Sequence, residues 1–226
     1  MPYYWSLRRT PKLPVSNIPD VLPPTPPGCF LDERGSLVDL NAAEPNEQRL
    51  SRKYIEPDNV VLELGARYGT VSYAINSNLA VKTNHVAVEP DWTVWKCLEQ
   101  NLIANGCGTH IVKGFISREK IGLSFSGYGT SFSRSHDAAF WPDCFTLEEI
   151  ENKHNLTFDT LVADCEGGLE IFLDENPKLY NTLKFIMFEE DAPTKCDYNK
   201  IRRNLTANGF VEIEVTNGQN IWKKYV

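Results

Sequence analysis

The narrowest constraint on this chain lies in one stretch, Asn59-Val60-Val61-Leu62-Glu63-Leu64-Gly65-Ala66-Arg67-Tyr68-Gly69-Thr70-Val71-Ser72. Val60 to Leu64 is a short apolar run broken by one carboxylate, which predicts a buried parallel strand. Gly65 and Gly69 follow in a Gly-x-x-x-Gly spacing. From Thr70 onward the apolar residues Val71, Ala74 and Ile75 recur at helical spacing. Strand, glycine turn and helix open a βαβ unit. In open α/β sheets, ligands bind where such turns leave the carboxyl ends of the strands. Gly65 has no Cβ, so the backbone there can turn and pass close to a ligand.

The spacing excludes two nucleotide chemistries. A dinucleotide site requires G-x-G-x-x-G, and a phosphate loop requires Lys followed by Ser or Thr after its last glycine. Neither is present. Glu63 at the turn predicts a cationic ligand in place of a pyrophosphate. The next strand ends in Val86-Ala87-Val88-Glu89-Pro90-Asp91, with Glu89 20 residues past Gly69. An acid at that offset accepts hydrogen bonds from ribose hydroxyls. Ribose and a cation without phosphate describe S-adenosylmethionine. The expected cofactor contacts are Glu63, Gly65, Ala66, Tyr68 and Gly69 from the first turn and Glu89 and Pro90 from the second, with Ser117 and Asp164 at the edges. The alternative is an ordinary βαβ unit whose glycines only turn the chain.

The 226 residues suit one domain with extensions. A net charge of -7 argues against a non-specific nucleic-acid partner, since that binding rests on phosphate neutralisation. No apolar stretch approaches the ~20 residues of a transmembrane helix. The first residues, Met1 to Arg9, lack the apolar region of a signal peptide. Six scattered cysteines form no C-x-x-C pair, which argues against zinc and for free thiols in a reducing, cytoplasmic compartment.

Residues 1–28 hold eight of the 14 prolines and predict an extended arm, so 1–45 is taken as a proline-rich arm and 46–226 as the domain. The arm either drapes on the domain or stays loose; Tyr3, Tyr4 and Trp5 leave open a lid or an oligomer contact. Helices are expected over Asn46–Tyr54, Thr70–Asn76, Trp92–Asn105, Thr146–His154, Leu169–Asn176 and Tyr198–Asn208. Strands are expected over Val60–Leu64, Asn84–Val88, Thr109–Lys113, Phe158–Asp164 and Leu183–Phe188. Phe115-Ile116-Ser117 is expected as a loop at the sheet edge, and Gly122 to Asp143 as a long loop without periodicity. Phe210–Val215 and Asn220–Tyr225 flank Thr216-Asn217-Gly218-Gln219, a strong hairpin signal.

A β-α repeat closed by a C-terminal antiparallel hairpin resembles the Rossmann-like class I S-adenosylmethionine-dependent methyltransferase fold: a mostly parallel twisted sheet flanked by helices. Five blocks narrow the resemblance: Glu63 to Gly69, Val88-Glu89-Pro90, Leu98-Glu99-Gln100-Asn101-Leu102, Phe145 to Ile150, and Phe158-Asp159-Thr160-Leu161-Val162-Ala163-Asp164-Cys165-Glu166-Gly167. Together they resemble the FkbM-type methyltransferase family over residues 46–226. The Asp-x-Glu-Gly block is the more specific part. The resemblance implies methylation of a hydroxyl on a sugar, glycan or other small molecule. Two positions depart from the family pattern: Arg67 stands where Asn is usual, and the acid after Glu166-Gly167 comes one residue late, at Glu170. A non-catalytic methyltransferase-like scaffold is the alternative.

Methyl transfer from a sulfonium is a direct displacement, so alignment supplies much of the rate and a base removes the acceptor proton. Asp164, Glu166 and His136 are the candidate bases. Clustered strand-end acids, Asp164 and Glu189, equally suit a divalent cation. Tyr128, Phe132, Phe140 and Trp141 in the long loop offer faces on which a sugar ring stacks. The Asn/Asp-Pro-Pro-aromatic block of nucleobase amino-methyltransferases is absent.

Overall fold

The computed structural model describes residues 18–126, 129–133, 138 and 140–225. Its elements alternate as the β-α pattern predicts. Helix α1 (Pro45–Tyr54) leads into β1 (Val61–Leu64), α2 (Thr70–Asn78), β2 (His85–Glu89), α3 (Trp95–Ala104) and β3 (His110–Lys113). Beyond β4 (Phe115–Ile116), β5 (Gly122–Ser126), β6 (Gly129–Ser133) and β7 (Cys144–Phe145), the pattern resumes. It continues with α4 (Leu147–His154), β8 (Thr160–Ala163), α5 (Leu169–Glu175), α6 (Leu179–Thr182), β9 (Phe185–Glu189), α7 (Tyr198–Ala207), β10 (Phe210–Thr216) and β11 (Gln219–Lys224).

Seven strands form one sheet in the order β10-β11-β9-β8-β1-β2-β3. The four pairings from β9 to β3 run parallel, β11 joins β9 antiparallel, and β10 closes the edge antiparallel to β11. The chain is thus a Rossmann-like α/β fold with a C-terminal antiparallel hairpin. Asn217 and Gly218 both take positive φ at the tip of that hairpin, as a two-residue turn matching the strand twist requires.

Side-chain alternation along β1 divides the core. Leu62 and Leu64 face α4 to α7 in a cluster with Ile150, Phe172, Ile201 and Phe188. Val61 faces the other side, with Leu50 of α1 and Ile75 of α2. The order reverses at the sheet centre: β1, β2 and β3 run outward one way, β8 and β9 the other. That crevice at the carboxyl ends of β1 and β8 is where ligands of such sheets bind.

Four expectations are corrected. Helix α3 starts at Trp95 and not at Trp92, because Asp91 Oδ1 accepts from the Thr93 amide (2.9 Å) and hydroxyl (2.6 Å) and holds the chain in a turn. Ile103, which recurs at helical spacing with Val94, Cys97, Leu98 and Leu102 and so is expected on the same apolar face, is 78% exposed. Phe115-Ile116 is a short strand paired in parallel with Cys144-Phe145, and Gly122 to Ser133 folds into the β5–β6 hairpin. The described part of the arm docks on α3. Asn101 Oδ1 accepts from the Leu31 amide (2.9 Å) and the Thr25 hydroxyl (3.2 Å), its Nδ2 donates to the Leu31 carbonyl (2.9 Å), and Leu22, Phe30 and Leu31 are buried. Tyr3, Tyr4 and Trp5 lie outside the described residues.

Candidate functional site

A cleft opens at the carboxyl edge of the sheet over the crevice between β1 and β8. It encloses about 1010 Å³, counting solvent at its mouth, and Leu64, Gly65, Arg67, Glu89, Pro90, Asp164 and Glu166 contribute to its wall. The first turn is shaped by close packing. Gly65 has φ +91°, and a Cβ there would stand 1.7 Å from the Asp164 carbonyl oxygen, so only glycine lets the β1 and β8 turns touch. The Asp164 amide in turn donates to the Leu64 carbonyl (3.0 Å).

Glu89 ends β2 beside that turn. Its Oε2 accepts from the Arg67 amide and its Oε1 from the Asp91 amide, both at 2.7 Å. Burial pushes its carboxyl up to about 7, against the two amides that favour the charged form. Each oxygen keeps a lone pair for a further donor. The Trp95 indole N–H donates to the Glu89 carbonyl (2.7 Å) and ties the strand end to α3.

Backbone strain gathers on the same wall. Among the described residues, five that are not glycine have positive φ; Asn155 and Asn217 are of the type that tolerates it, at a helix cap and a hairpin tip. The other three, Glu44 (φ 52°), Arg67 (φ 43°) and Glu166 (φ 52°), all line the cleft. Such conformations cost roughly 1–3 kcal/mol each, and they collect at functional sites.

The expected cofactor residues part company. Gly65, Glu89, Pro90 and Asp164 line the cleft. Glu63 does not: with Leu64 turned to the cleft, alternation sends Glu63 to the opposite face. There its Oε2 accepts from the Ser72 hydroxyl (2.6 Å) and pairs with His85 Nε2 (3.1 Å). Ala66 packs on Leu98 and Leu102, and Gly69 turns the chain under the same leucines. The Tyr68 hydroxyl donates to Glu33 (2.7 Å). The Ser117 hydroxyl donates to Glu175 on α5 (3.0 Å), away from the cleft, leaving Ile116 to line it.

Among the candidate bases, Asp164 and Glu166 share the cleft wall. Burial raises both, and neighbouring carboxylates raise them further: Glu47, Glu189, Glu44 and Asp191 act on Asp164, and Asp191 on Glu166. Glu170, the late acid, is engaged elsewhere, accepting from the Asp197 amide (2.8 Å) and pairing with Lys200 (2.9 Å). His136 lies outside the described residues. Asp164 and Glu189 do come together, joined by Glu47 of α1, with ligand oxygens within 4.8 Å of one another.

Sequence reasoning missed Glu44 and Glu47. Glu44-Pro45-x-Glu47 reads as a helix start, where acids complement the dipole, and nothing local says that the start of α1 reaches the cleft. Of the loop aromatics, Tyr128 lies outside the described residues and Phe132 belongs to β6. Phe140 packs against Trp92 at 6.2 Å, and the Lys120 ammonium lies 5.4 Å over the Trp141 ring. The aromatic faces on the cleft wall are Phe115 and Phe172 instead. Arg67 Nη2 donates to the Tyr68 hydroxyl (3.2 Å), and its guanidinium lies 4.7 Å over the Tyr68 ring.

No family model matches the chain, and no curated protein matches it in sequence. Solved structures do share its fold. A protein of the NADB-Rossmann superfamily from Streptococcus agalactiae is 13% identical with a TM-score of 0.50, over 79% of this chain and 67% of that one. An uncharacterized protein from Listeria monocytogenes serotype 4b is 13% identical with a TM-score of 0.50, over 79% and 66%. An rRNA methylase from Streptococcus thermophilus is 10% identical with a TM-score of 0.48, over 79% and 94%. At such identities the likeness to the first two speaks for the fold alone, and a TM-score of 0.48 does not carry even that.

Proposed function

We propose that residues 46–226 form a class I, FkbM-type S-adenosylmethionine-dependent methyltransferase that methylates a hydroxyl of a sugar or other small molecule. The observation that carries this reading is Glu89. It is a buried carboxylate at the end of β2, with free lone pairs on the cleft wall beside a turn that admits only glycine at Gly65. The residues present fit the cofactor. Glu89 would take the ribose hydroxyls, the Gly65 backbone would let the ligand pass close, Val88 and Pro90 would lie beside the adenosine, and the surrounding acids would favour a sulfonium.

S-adenosylmethionine, when bound, supplies a methyl group on a positively charged sulfur. The acceptor hydroxyl must give up a proton as the new O–C bond forms. Asp164 and Glu166, both on the cleft wall, are the groups that would accept it, and their raised affinity for protons suits a base that works near neutral pH. Ile116, Ile121, Leu123 and Phe172 form an apolar wall that would keep water from the methyl group. Phe115 offers a ring face for a sugar.

The test is transfer of tritium from methyl-labelled cofactor onto a panel of free sugars, glycans, small-molecule alcohols, RNA and protein. Label on hydroxyl acceptors that falls ~10²-fold or more in Asp164→Asn or Glu166→Gln is the expected result. Label on RNA or protein alone overturns the acceptor.

A further inference from the structure

Glu44 stands in the arm, one residue before α1 begins, yet it lines the cleft beside Gly65 and Arg67. An acid at the start of a helix ordinarily accepts from the first amides of that helix. The Glu44 side chain makes no such bond. Its Oε2 accepts instead from the hydroxyl of Thr70 (3.1 Å), the first residue of α2. The arm thus delivers a carboxylate to the turn that joins β1 to α2, and holds it there at a left-handed φ of 52°. Among the described residues no donor reaches its Oε1, so one oxygen keeps its capacity for a ligand.

A second observation concerns the acid that the sequence offers for this place. Glu63, expected to meet a cationic ligand, pairs with His85 on the opposite face of the sheet. The β1 turn therefore has no carboxylate of its own for a cation, and Glu44 supplies one from outside the βαβ unit. Burial raises the Glu44 carboxyl and Glu63 and Glu189 raise it further, against the Thr70 hydroxyl and Arg67. A cation beside it would offset that burial and repulsion.

We infer that Glu44 binds the α-ammonium of the cofactor's amino-acid tail, so that the arm carries part of the cofactor site. The inference rests on the S-adenosylmethionine reading of the cleft. The sulfur of that cofactor bears three branches. Glu89 at the end of β2 would take the adenosyl branch, and the methyl would face Asp164 after β8. Strand β1 lies between those two strands, and its turn is left for the tail. Glu44 is the acid on that part of the wall, and a carboxylate–ammonium hydrogen bond is of the strong, charge-assisted kind.

Calorimetry on the full-length chain with three ligands tests it. S-adenosylmethionine carries both the sulfonium and the ammonium, its demethylated product carries the ammonium alone, and methylthioadenosine keeps the adenosine but carries neither. Glu44→Gln is expected to weaken the demethylated product about ten-fold or more and methylthioadenosine by less than about two-fold, with circular dichroism native. Should that variant not fold, Glu44→Gly removes the carboxylate and relieves the left-handed φ, and the same split is expected. Unchanged affinity for the product, an equal loss for product and methylthioadenosine, or a loss confined to S-adenosylmethionine overturns the inference and leaves the cofactor reading standing. A wild type that binds neither S-adenosylmethionine nor its product overturns that reading, and the role of Glu44 with it.

Discussion

Gly65 and Glu89 are the residues on which the site depends most directly. Gly65→Ala would force a Cβ to 1.7 Å from the Asp164 carbonyl at a φ that alanine avoids. A loss of roughly 3 kcal/mol is expected, seen as a melting temperature lower by about 6–12 °C. Glu89 makes a pH prediction. Its folded-state carboxyl titrates near 7, above an unfolded glutamate, so the native state binds the extra proton between about pH 4.5 and 7. The stability it contributes is complete below the unfolded value and is lost as pH rises through the folded one. Glu89→Gln should therefore flatten the fall in stability across that window; equal slopes in wild type and variant would refute the assignment. At Glu166 the backbone and the chemistry pull apart. Glu166→Gly relieves a φ of 52° and should keep or raise stability, by up to about 1 kcal/mol, while abolishing any turnover that needs the carboxylate.

At the scale of elements, the arm behaves as a strap held along α3: Asn105, just past the helix, bonds Gly28 and Cys29, and Asn101 is its buried anchor. Asn101, fully buried in α3, bonds both backbone groups of Leu31 and the Tyr68 carbonyl (2.9 Å). Asn101→Leu leaves those groups unpaired, at about 1–3 kcal/mol each, and limited proteolysis should then cut within 18–45 much faster than in the wild type. Equal cleavage rates would mean that Leu22, Phe30 and Leu31 hold the strap without Asn101. The strands and helices around the sheet are legible in the chain because each announces itself locally: apolar runs at β1, β2, β8 and β9, a capping box at Thr146 and Glu149, Asn-Gly at the last turn. The β5–β6 hairpin is not, although Leu123-Ser124-Phe125-Ser126 does alternate, because glycine and serine in that segment read as a loop. Glu63 is the converse case. Its residue type suggests a ligand, but alternation from Leu64, which faces the cleft, turns it to the other face.

For the whole molecule, the acids matter more in their convergence than in their number. A net charge of -7 describes an acidic surface, yet it does not foretell that Glu44, Glu89, Asp164 and Glu166 face one cleft. Glu44 and Asp164 are 120 positions apart, and only the wrapping of α1 over the ends of β8 and β9 joins them. The sequence thus exposes the half of the site built from strand ends and hides the half carried by α1. Among the described residues, no helix is long and apolar enough to cross a membrane. The central claim is that this cleft holds S-adenosylmethionine, and isothermal titration calorimetry on the full-length chain tests it most directly. Saturable one-to-one binding of S-adenosylmethionine or its demethylated product is predicted, weakened at least ten-fold in a folded Glu89→Ala variant. No heat and no thermal shift with either ligand at millimolar concentration would contradict it.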